Sequence, residues 1–151
     1  MYDKLAKTAK DALLACLPKT KGSNDPDSDA ILANLAPDFY MDFGHQFFVS
    51  TLPPLQGRKD GPGFVSHMSG MAKSLQTWSI NITNQAVDVE KRTVVFRTDF
   101  HMVPKGGEEV LNEIIFWLEM DGSGKKVVHY TEFVDPVASA ELAKRMKAGV
   151  D

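Results

Sequence analysis

The chain of 151 residues lacks the residues on which several kinds of site depend. It has a single cysteine, Cys16, which excludes an intramolecular disulfide and every zinc site that needs two or more cysteines. Its formal net charge is −3 and it has no block of basic residues, so we expect neither nucleic acid nor an anionic membrane surface as a partner. No apolar run approaches the ~20 residues that span a bilayer, and no signal peptide is recognisable. We therefore expect a cytoplasmic protein.

The sequence motifs of many nucleophilic, nucleotide-binding and metal-dependent enzymes are also missing. There is no G-x-S-x-G elbow, no P-loop and no H-E-x-x-H, and no G-x-G-x-x-G follows a predicted strand. The four histidines, His45, His67, His101 and His129, lie far apart on different predicted elements. We therefore predict neither a metal nor a cofactor. Acid–base catalysis stays open, because it needs only one or two carboxyl or imidazole groups with shifted pKa and a donor for a developing oxyanion.

What the chain does have is a series of helical patterns followed by a succession of strands. Hydrophobic periodicity and cap residues predict helices at Tyr2–Leu17, Ala30–Leu35 (capped by Asp29), Arg58–Leu75 and Val137–Lys147. Alternation predicts strands at Phe39–Phe43, Trp78–Thr83, Ala86–Val89, Thr93–Met102, Glu109–Met120 and Lys126–Val134. The stretch Lys19–Asp29 is predicted to be a loop, and two prolines exclude regular structure from Thr51–Gly57.

Helices first and a run of long strands afterwards predict an α+β fold, in which a curved antiparallel sheet packs on the N-terminal helices and surrounds a pocket. The length fits a single domain over residues 1–151. The strand Glu109–Met120 is apolar on both faces after Asn112. One face can line the pocket, and the other can pack on a helix or on a second copy of the chain, so we expect a homodimer.

The strands carry polar side chains among apolar ones. Side chains alternate between the two faces of a strand, so Glu132 shares a face with Tyr130, while Asn112 shares one with Phe116. Alternation alone leaves open which face of each strand points inward. An inward Glu132 would have a raised pKa and could act as a general base, whereas an outward one would be an ordinary solvated carboxylate.

Other candidates can be interpreted in two ways. His101 and the aspartate two residues before it could be a base and its orienting group, or part of the surface. Asn112 could donate to a substrate carbonyl or merely end a hairpin. Tyr40 and Asp42 share a face of the short strand, where a tyrosine either donates a hydrogen bond to a ligand or belongs to the core. His67 lies on the apolar stripe of its helix, as a pocket residue or as a satisfied core histidine.

Several segments resemble a known family. The strand Val110–Ile114, the turn Asp121–Lys125, the segment Glu132–Asp135 and the crossover Leu52–Leu55 resemble the small fungal SnoaL-like isomerases and cyclases of secondary-metabolite biosynthesis. These belong to the nuclear-transport-factor-2-like (NTF2-like) superfamily of cone-shaped α+β domains. In such relatives tyrosines often flank the asparagine of the strand, at the positions of Val110 and Ile114. Both residues are aliphatic here, which argues against a tyrosine-based mechanism.

The resemblance implies a cofactor-independent isomerase or cyclase that acts by acid–base catalysis on a polyketide- or meroterpenoid-derived intermediate. It implies that Glu132 and Asn112 face the interior together. Glu132 and His101 are then predicted to be base and acid, and Asn112 and Tyr40 to hold the enolate oxygen. The hydrophobic substrate is predicted to contact Asp42, His67, Phe100, Phe116 and Tyr130.

Three alternatives remain at this point. One is a dehydratase similar to scytalone dehydratase, in which a strand asparagine and histidines line the pocket. Another is a module that binds a small molecule without transforming it, since this fold hosts both kinds of function. The third is an interaction protein that uses the outer face of its sheet.

Overall fold

One five-stranded sheet and five α-helices are formed by residues 1–18 and 23–150, which are the residues that this computed structural model describes. The helices are α1 (Tyr2–Leu14), α2 (Ser28–Ala33), α3 (Gln46–Thr51), α4 (Gly61–Ser74) and α5 (Pro136–Val150). The strands are β1 (Leu35–Gly44), β2 (Leu75–Asp88), β3 (Thr93–Pro104), β4 (Val110–Met120) and β5 (Val127–Phe133). The predicted α+β class, with a curved sheet against helices, is confirmed.

The strands lie in the order β1-β5-β4-β3-β2. Strands β2 to β5 form an antiparallel meander, whereas β1 joins the edge of the sheet parallel to β5. In this register Asn112 of β4 lies opposite Phe100 of β3, and Glu132 of β5 lies opposite Phe116 of β4. The sheet thus brings the polar positions of its middle strands next to aromatic ones.

Burial alternates along β3 and β4 and shows which face of the sheet is the inner one. On β3 the buried side chains include Phe96, Thr98, Phe100 and Met102, and the residues between them are more exposed. On β4 the buried side chains are Val110, Asn112, Ile114, Phe116, Leu118 and Met120. Full burial of each large apolar side chain contributes about 1.5–3 kcal/mol to folding. The core therefore lies between this inner face and the helices.

The first helix covers one part of this core. Its residues Leu5, Ala9, Ala12 and Leu13 recur at spacings of three and four and are all buried. The helix ends at Leu14, earlier than the predicted Leu17. None of the described helices is both long and apolar enough to cross a membrane.

Helix starts follow from local hydrogen bonds. Asp27 caps α2, because its side chain accepts a hydrogen bond from the N–H of Ala30 at 3.1 Å, so the predicted cap Asp29 lies inside the first turn instead. Asp60 caps α4 in the same way, at 2.8 Å from the N–H of Gly63. Asp135 caps α5 through the N–H of Val137 at 2.9 Å.

Several predicted boundaries were wrong. The first strand runs over Leu35–Gly44, twice the predicted length, and β2 is one strand with a register shift between Ile82 and Asn84 rather than two. Helix α3 was not predicted, and Pro53–Leu55 forms a 3₁₀ turn where no regular structure was expected. The predicted loop Lys19–Asp29 lies partly outside the described residues.

Candidate active site

A cavity of about 460 Å³ lies between the inner face of the sheet and the helices. Volumes of this order accommodate a small organic ligand. The sheet contributes Phe43, Phe100, Met102, Asn112, Ile114, Glu132 and Val134. The segments that cover it contribute Leu52, Pro54, Leu55, His67, Met68, Met71, Ser74, Ser139, Leu142, Ala143, Met146 and Lys147. Most of these side chains are apolar, so the few polar ones stand in a water-poor environment.

Glu132 of β5 is the buried acid of this cavity. Its side chain is 9% exposed, and the inward alternation of β5 places it beside Val134 on the cavity wall. Burial raises the pKa of this carboxyl group from 4.5 to about 8. Among the described residues no charged or hydrogen-bonding neighbour contributes to the shift. At pH 7, below that pKa, Glu132 is therefore mainly a neutral acid.

Asn112 of β4 is held in a fixed orientation. Its Oδ1 accepts a hydrogen bond from the backbone N–H of Asp135 at 3.1 Å, and its Nδ2 donates to the Ser139 Oγ at 2.9 Å. An N–H can only meet the oxygen of the amide, so these two contacts decide which end of the side chain is which. A primary amide has two N–H donors and Ser139 takes one of them, so the other can donate to a ligand in the cavity.

His67 of α4 is the neutral base of this cavity. Burial, and secondly the positive charge of Lys59, lower the pKa of its imidazole from 6.5 to about 4. Its ring packs against Phe43, with 5.2 Å between the ring centroids. At pH 7 the imidazole is therefore uncharged and has one nitrogen free to accept a proton.

The two ionisable groups have pKa values shifted in opposite directions. The carboxyl of Glu132 keeps its proton to a pH at which free glutamate is long ionised, and the imidazole of His67 loses its proton at a pH at which free histidine is still charged. An acid and a base separated in this way are what proton transfer in both directions requires. Asn112 adds a neutral donor to the same cavity wall.

Four of the predicted site residues line this cavity. They are Glu132, Asn112, His67 and Phe100, and the last of these stacks on the buried Trp78 with 5.7 Å between ring centroids. Their lining of one cavity is the placement that the resemblance implied for Glu132 and Asn112. Their chemical roles stay predictions.

His101 does not line the cavity. Its neighbours Phe100 and Met102 point inward, so the alternation of β3 turns His101 to the outer face, where its Nδ1 lies 3.2 Å from Glu109 Oε2. Its side chain is 37% exposed. The expected position of His101 in the pocket was therefore wrong, and a role as acid or base has no support from the geometry.

Tyr40 and Asp42 also lie on the outer face. Phe43 reaches the cavity from the next position of β1, so the two residues with the opposite parity point away from it. Tyr40 stacks on His129 with 4.2 Å between ring centroids, and Asp42 accepts a hydrogen bond from Thr131 Oγ1 at 2.7 Å. Their predicted contacts with substrate are therefore not supported.

Phe116 and Tyr130 point inward but belong to the core. Tyr130 packs between Phe116 and Phe64, with ring centroids 5.6 and 5.2 Å away, and neither Phe116 nor Tyr130 lines the cavity. Burial raises the pKa of the Tyr130 hydroxyl, and nearby Cys16 and Glu132 add to the effect. The predicted contacts of these two aromatic residues with substrate are thus replaced by packing within the protein.

The sequence reasoning missed the contribution of α5. Ser139, Leu142, Ala143, Met146 and Lys147 of this helix all line the cavity. The spacing of three and four residues among them was visible in the sequence as the mark of one helix face. What it could not show is that this face covers the pocket.

No metal site accompanies these groups. Within residues 1–18 and 23–150, no three His, Cys, Asp or Glu side chains come together in a way that could hold a metal ion. The cavity wall has six polar side chains among the described residues. They are Glu132, Asn112, Ser139, His67, Ser74 and Lys147.

Comparison with known proteins gives matches of structure rather than of sequence. No family model matches the chain, and no curated protein matches it. The BvnE pinacolase from Penicillium brevicompactum has a TM-score of 0.78 at 13% identity, over 99% of this chain and 98% of its own. An NTF2-like protein of unknown function from Burkholderia pseudomallei has a TM-score of 0.71 at 14% identity, over 92% of this chain and 96% of its own.

A third protein, from Shewanella putrefaciens CN-32, carries the description SnoaL-like polyketide cyclase. Its TM-score is 0.69 at 11% identity, over 93% of this chain and 86% of its own. Identities this low carry no activity from one chain to another, whereas agreement over nearly the whole of each chain shows a common architecture. The predicted fold is confirmed, because the chain shares the fold of the NTF2-like protein and of the other two structures.

Proposed function

We propose that this protein is a cofactor-independent isomerase or cyclase that acts by acid–base catalysis on a polyketide- or meroterpenoid-derived intermediate of secondary metabolism. The observation that carries the proposal is the buried acid Glu132, with a pKa of about 8, in an apolar cavity shared with Asn112 and the neutral His67. The similarity in fold to a pinacolase and to a SnoaL-like polyketide cyclase agrees with this reaction class.

Glu132 starts the reaction as the acid. A carbonyl oxygen of the substrate accepts hydrogen bonds from the protonated Glu132 and from the free N–H of Asn112. As negative charge develops on that oxygen, the proton of Glu132 moves to it. A fixed neutral donor such as Asn112, aimed at the position where charge develops, lowers the barrier because no solvent has to reorganise.

His67 takes the second proton. Its free nitrogen accepts the proton from the carbon next to the carbonyl, and the electron pair of the broken C–H bond forms the enol double bond. In a substrate whose C=C bond lies one carbon beyond that position, the protonated imidazole then returns the proton to the far carbon of this bond, and the enol O–H returns its proton to the carboxylate of Glu132. Both residues end in their starting states, so the net change is a shift of one proton and one double bond.

Ring closure can use the same groups. The enol carbon attacks a second carbonyl of the same molecule, and the new alkoxide takes a proton from the imidazolium of His67. The first carbonyl re-forms as the enol O–H returns its proton to the carboxylate of Glu132. The apolar wall keeps bulk water from protonating the enol first. One positioned acid or base contributes about 10²–10⁴-fold, and holding the reacting atoms in place contributes the rest.

A dehydratase is the second candidate, and the protonated state of Glu132 favours it over a mere binding module. A neutral carboxylic acid can protonate a leaving hydroxyl group, so that water departs after His67 removes the neighbouring C–H proton. The two reactions differ in the product, because dehydration lowers the mass by one water and isomerisation leaves it unchanged.

A direct test follows the exchange of the proton next to the carbonyl in heavy water. Aromatic polyketones and hydroxylated naphthalenones are incubated with the protein and examined by NMR. We expect enzyme-dependent exchange that falls by about 10²–10⁴-fold in Glu132→Gln. The matched control is Glu119→Gln, since Glu119 of β4 pairs with His129 instead of lining the cavity. Undiminished exchange in Glu132→Gln would reject Glu132 as the acid, and binding without any exchange would favour the binding module.

The proposed enzyme is a homodimer. The outer face of the sheet exposes the apolar side chains Leu111 and Trp117, with 49% and 43% of their surfaces accessible, around the half-buried Ile115 and Val95. Trp117 lies opposite Val95 in the ladder and next to Ile115 on its own strand face, so these three side chains form an apolar patch, which Glu113 separates from Leu111. A patch of this kind, with charged pairs such as Arg97 and Glu113 beside it, suits an interface with a second copy of itself.

A further inference from the structure

Helix α5 carries an apolar surface with a different polar residue at each end. Ser139, Leu142, Ala143, Met146 and Lys147 all line the cavity. From Ser139 to Lys147 the helix advances by eight residues, which at 1.5 Å per residue is about 12 Å. The cavity therefore extends along the helix for about this distance.

One end of this cavity can bind an uncharged oxygen of a ligand. Ser139 is tied to Asn112 at 2.9 Å, and Asn112 lies on the same wall as Glu132. Asn112 offers an amide N–H and Glu132 a carboxyl group to a carbonyl or hydroxyl of the ligand, while Ser139 holds the Asn112 amide in place. They place the reacting end of the ligand at the start of α5.

The other end carries a positive charge. Among the described residues that line the cavity, Lys147 is the only one with a permanent positive charge. It is exposed, in the last turn of α5, so its ammonium group can stay in water while its stem covers the apolar lining. Between the two ends the helix offers only Leu142, Ala143 and Met146, which give a ligand nothing but apolar contact.

Building on the proposed function, we propose that the substrate is an elongated, mainly apolar carboxylic acid. Its carboxylate lies against Lys147, and its carbonyl or hydroxyl end lies at Asn112 and Glu132, beside Ser139, whose backbone position is about 12 Å from that of Lys147 along α5. Two or three linked rings between these groups fill the apolar length of the cavity. Lys147 thus selects the substrate and sets its direction, while taking no part in proton transfer.

The inference is tested by binding, so that its outcome does not depend on turnover. The probes are 4′-hydroxybiphenyl-4-carboxylate and the corresponding carboxamide, which have the same shape and differ in charge. Calorimetry at pH 7 gives Kd for each with the wild-type chain, Lys147→Gln and Lys144→Gln. Lys144 is the matched control, because it lies on the same helix and is exposed but does not line the cavity.

We expect the wild-type chain to bind the carboxylate about two- to fivefold more tightly than the carboxamide, as an ion pair in contact with water allows. This preference should vanish in Lys147→Gln and persist in Lys144→Gln. Equal affinity of the wild-type chain for both probes, or no binding of either, overturns the inference. A preference that survives in Lys147→Gln, or that is lost equally in Lys144→Gln, overturns it too.

The same measurement separates this inference from the proposed function. Glu132→Gln leaves Lys147 untouched, so the carboxylate preference should persist in it even though proton exchange is lost. Absent preference with Glu132-dependent exchange rejects the inference and leaves the acid–base proposal standing. A preference for the carboxylate probe without any proton exchange supports the inference and rejects the acid–base proposal.

Discussion

Replacement of Glu132 by glutamine should change the pH dependence of stability in a way that measures the pKa of the buried carboxyl group. In the unfolded chain this group has the ordinary pKa of 4.5, and in the folded protein burial raises the pKa to about 8. The folded state therefore holds the proton more tightly than the unfolded state does. The contribution of this proton to the free energy of unfolding is fully present below pH 4.5, and it is lost progressively as the pH rises toward about 8.

The size of this loss follows from the two pKa values. Each pH unit between them costs about 1.4 kcal/mol, and the two titration curves together give a loss of about 4 kcal/mol between pH 5 and pH 9. Glutamine has nearly the same shape and no proton to lose, so Glu132→Gln should not show this loss. All other ionisable groups are the same in both proteins and cancel in the difference between them.

The assay is guanidinium unfolding of both proteins at pH 5, 7 and 9, with the free energy of unfolding compared at each pH. We expect Glu132→Gln to gain on the wild-type chain by about 3 kcal/mol or more between the first and last of these. Glu90→Gln, at an exposed turn after β2, is the control and should track the wild-type chain at every pH. A difference between Glu132→Gln and the wild-type chain that stays constant from pH 5 to pH 9 would refute the raised pKa, and with it the assignment of Glu132 as the acid.

Three further predictions concern the pH profile, the orientation of Asn112 and the outer face. Proton exchange at the substrate should be fastest between about pH 4 and about pH 8, because His67 is protonated below this range and Glu132 is ionised above it. Rate–pH measurements on the wild-type chain and on His67→Gln check this. An exchange rate that rises through pH 8 would contradict it. Ser139→Ala should lower kcat about tenfold with KM nearly unchanged, because Asn112 loses its hydrogen bond to Ser139 Oγ. Ser139→Thr should restore most of the lost kcat. Steady-state kinetics that show a change in KM alone would contradict this positioning role. Trp117→Glu should convert a dimer into a monomer in light scattering without loss of the fold, and a wild-type chain that is already monomeric would reject the dimer proposal.

The outward positions of His101 and Tyr40, which were wrongly predicted to contact the substrate, follow from the apolar content of the two faces of their strands. On β3 the set Phe96, Thr98, Phe100 and Met102 is more apolar than the set that includes Arg97 and His101, and the apolar set is the one that turns inward. On β1 the face that carries Phe43 is likewise more apolar than the face that carries Tyr40, and Phe43 is the one that points inward. Alternation gives two sets of residues per strand, and the set with more apolar side chains is the one that faces the core.

For β5 the same comparison is less decisive. The set of Tyr130, Glu132 and Val134 contains a charged residue, and the opposite set contains His129, Thr131 and Phe133. The inward position of Glu132 was predicted because a family resemblance implied it, and the residues alone left it open. A buried carboxyl group breaks the apolar pattern on which such a prediction rests. The strand face of a functional acid is therefore hard to predict from hydrophobic alternation.

The role of α5 was beyond the sequence for a different reason. Asn112 and Ser139 are separated by 27 residues along the chain, and their hydrogen bond exists only because β5 returns beside β4 and the chain then turns over the cavity at Asp135. The parallel pairing of β1 with β5 is likewise a contact between the first and last strands of the chain. Local patterns predict elements, whereas contacts of this kind follow from how the elements are ordered in the sheet.

The cost of Glu132 bears on why the cavity exists. The other inward residues around it, Ile114 and Val134 among them, show that this wall accommodates apolar side chains. A methionine or leucine in its place would remove the cost, several kcal/mol at neutral pH, of folding with a protonated carboxyl group that is ionised in the unfolded chain. A sequence optimised for stability alone would also fill the cavity with side chains, because a cavity of this size forfeits packing contacts between its walls. Both costs fall at the same place, where the amide of Asn112 is fixed by two hydrogen bonds and His67 is held neutral. A fold that combines an unfilled apolar cavity with a buried carboxyl group of raised pKa is best explained by chemistry at that place.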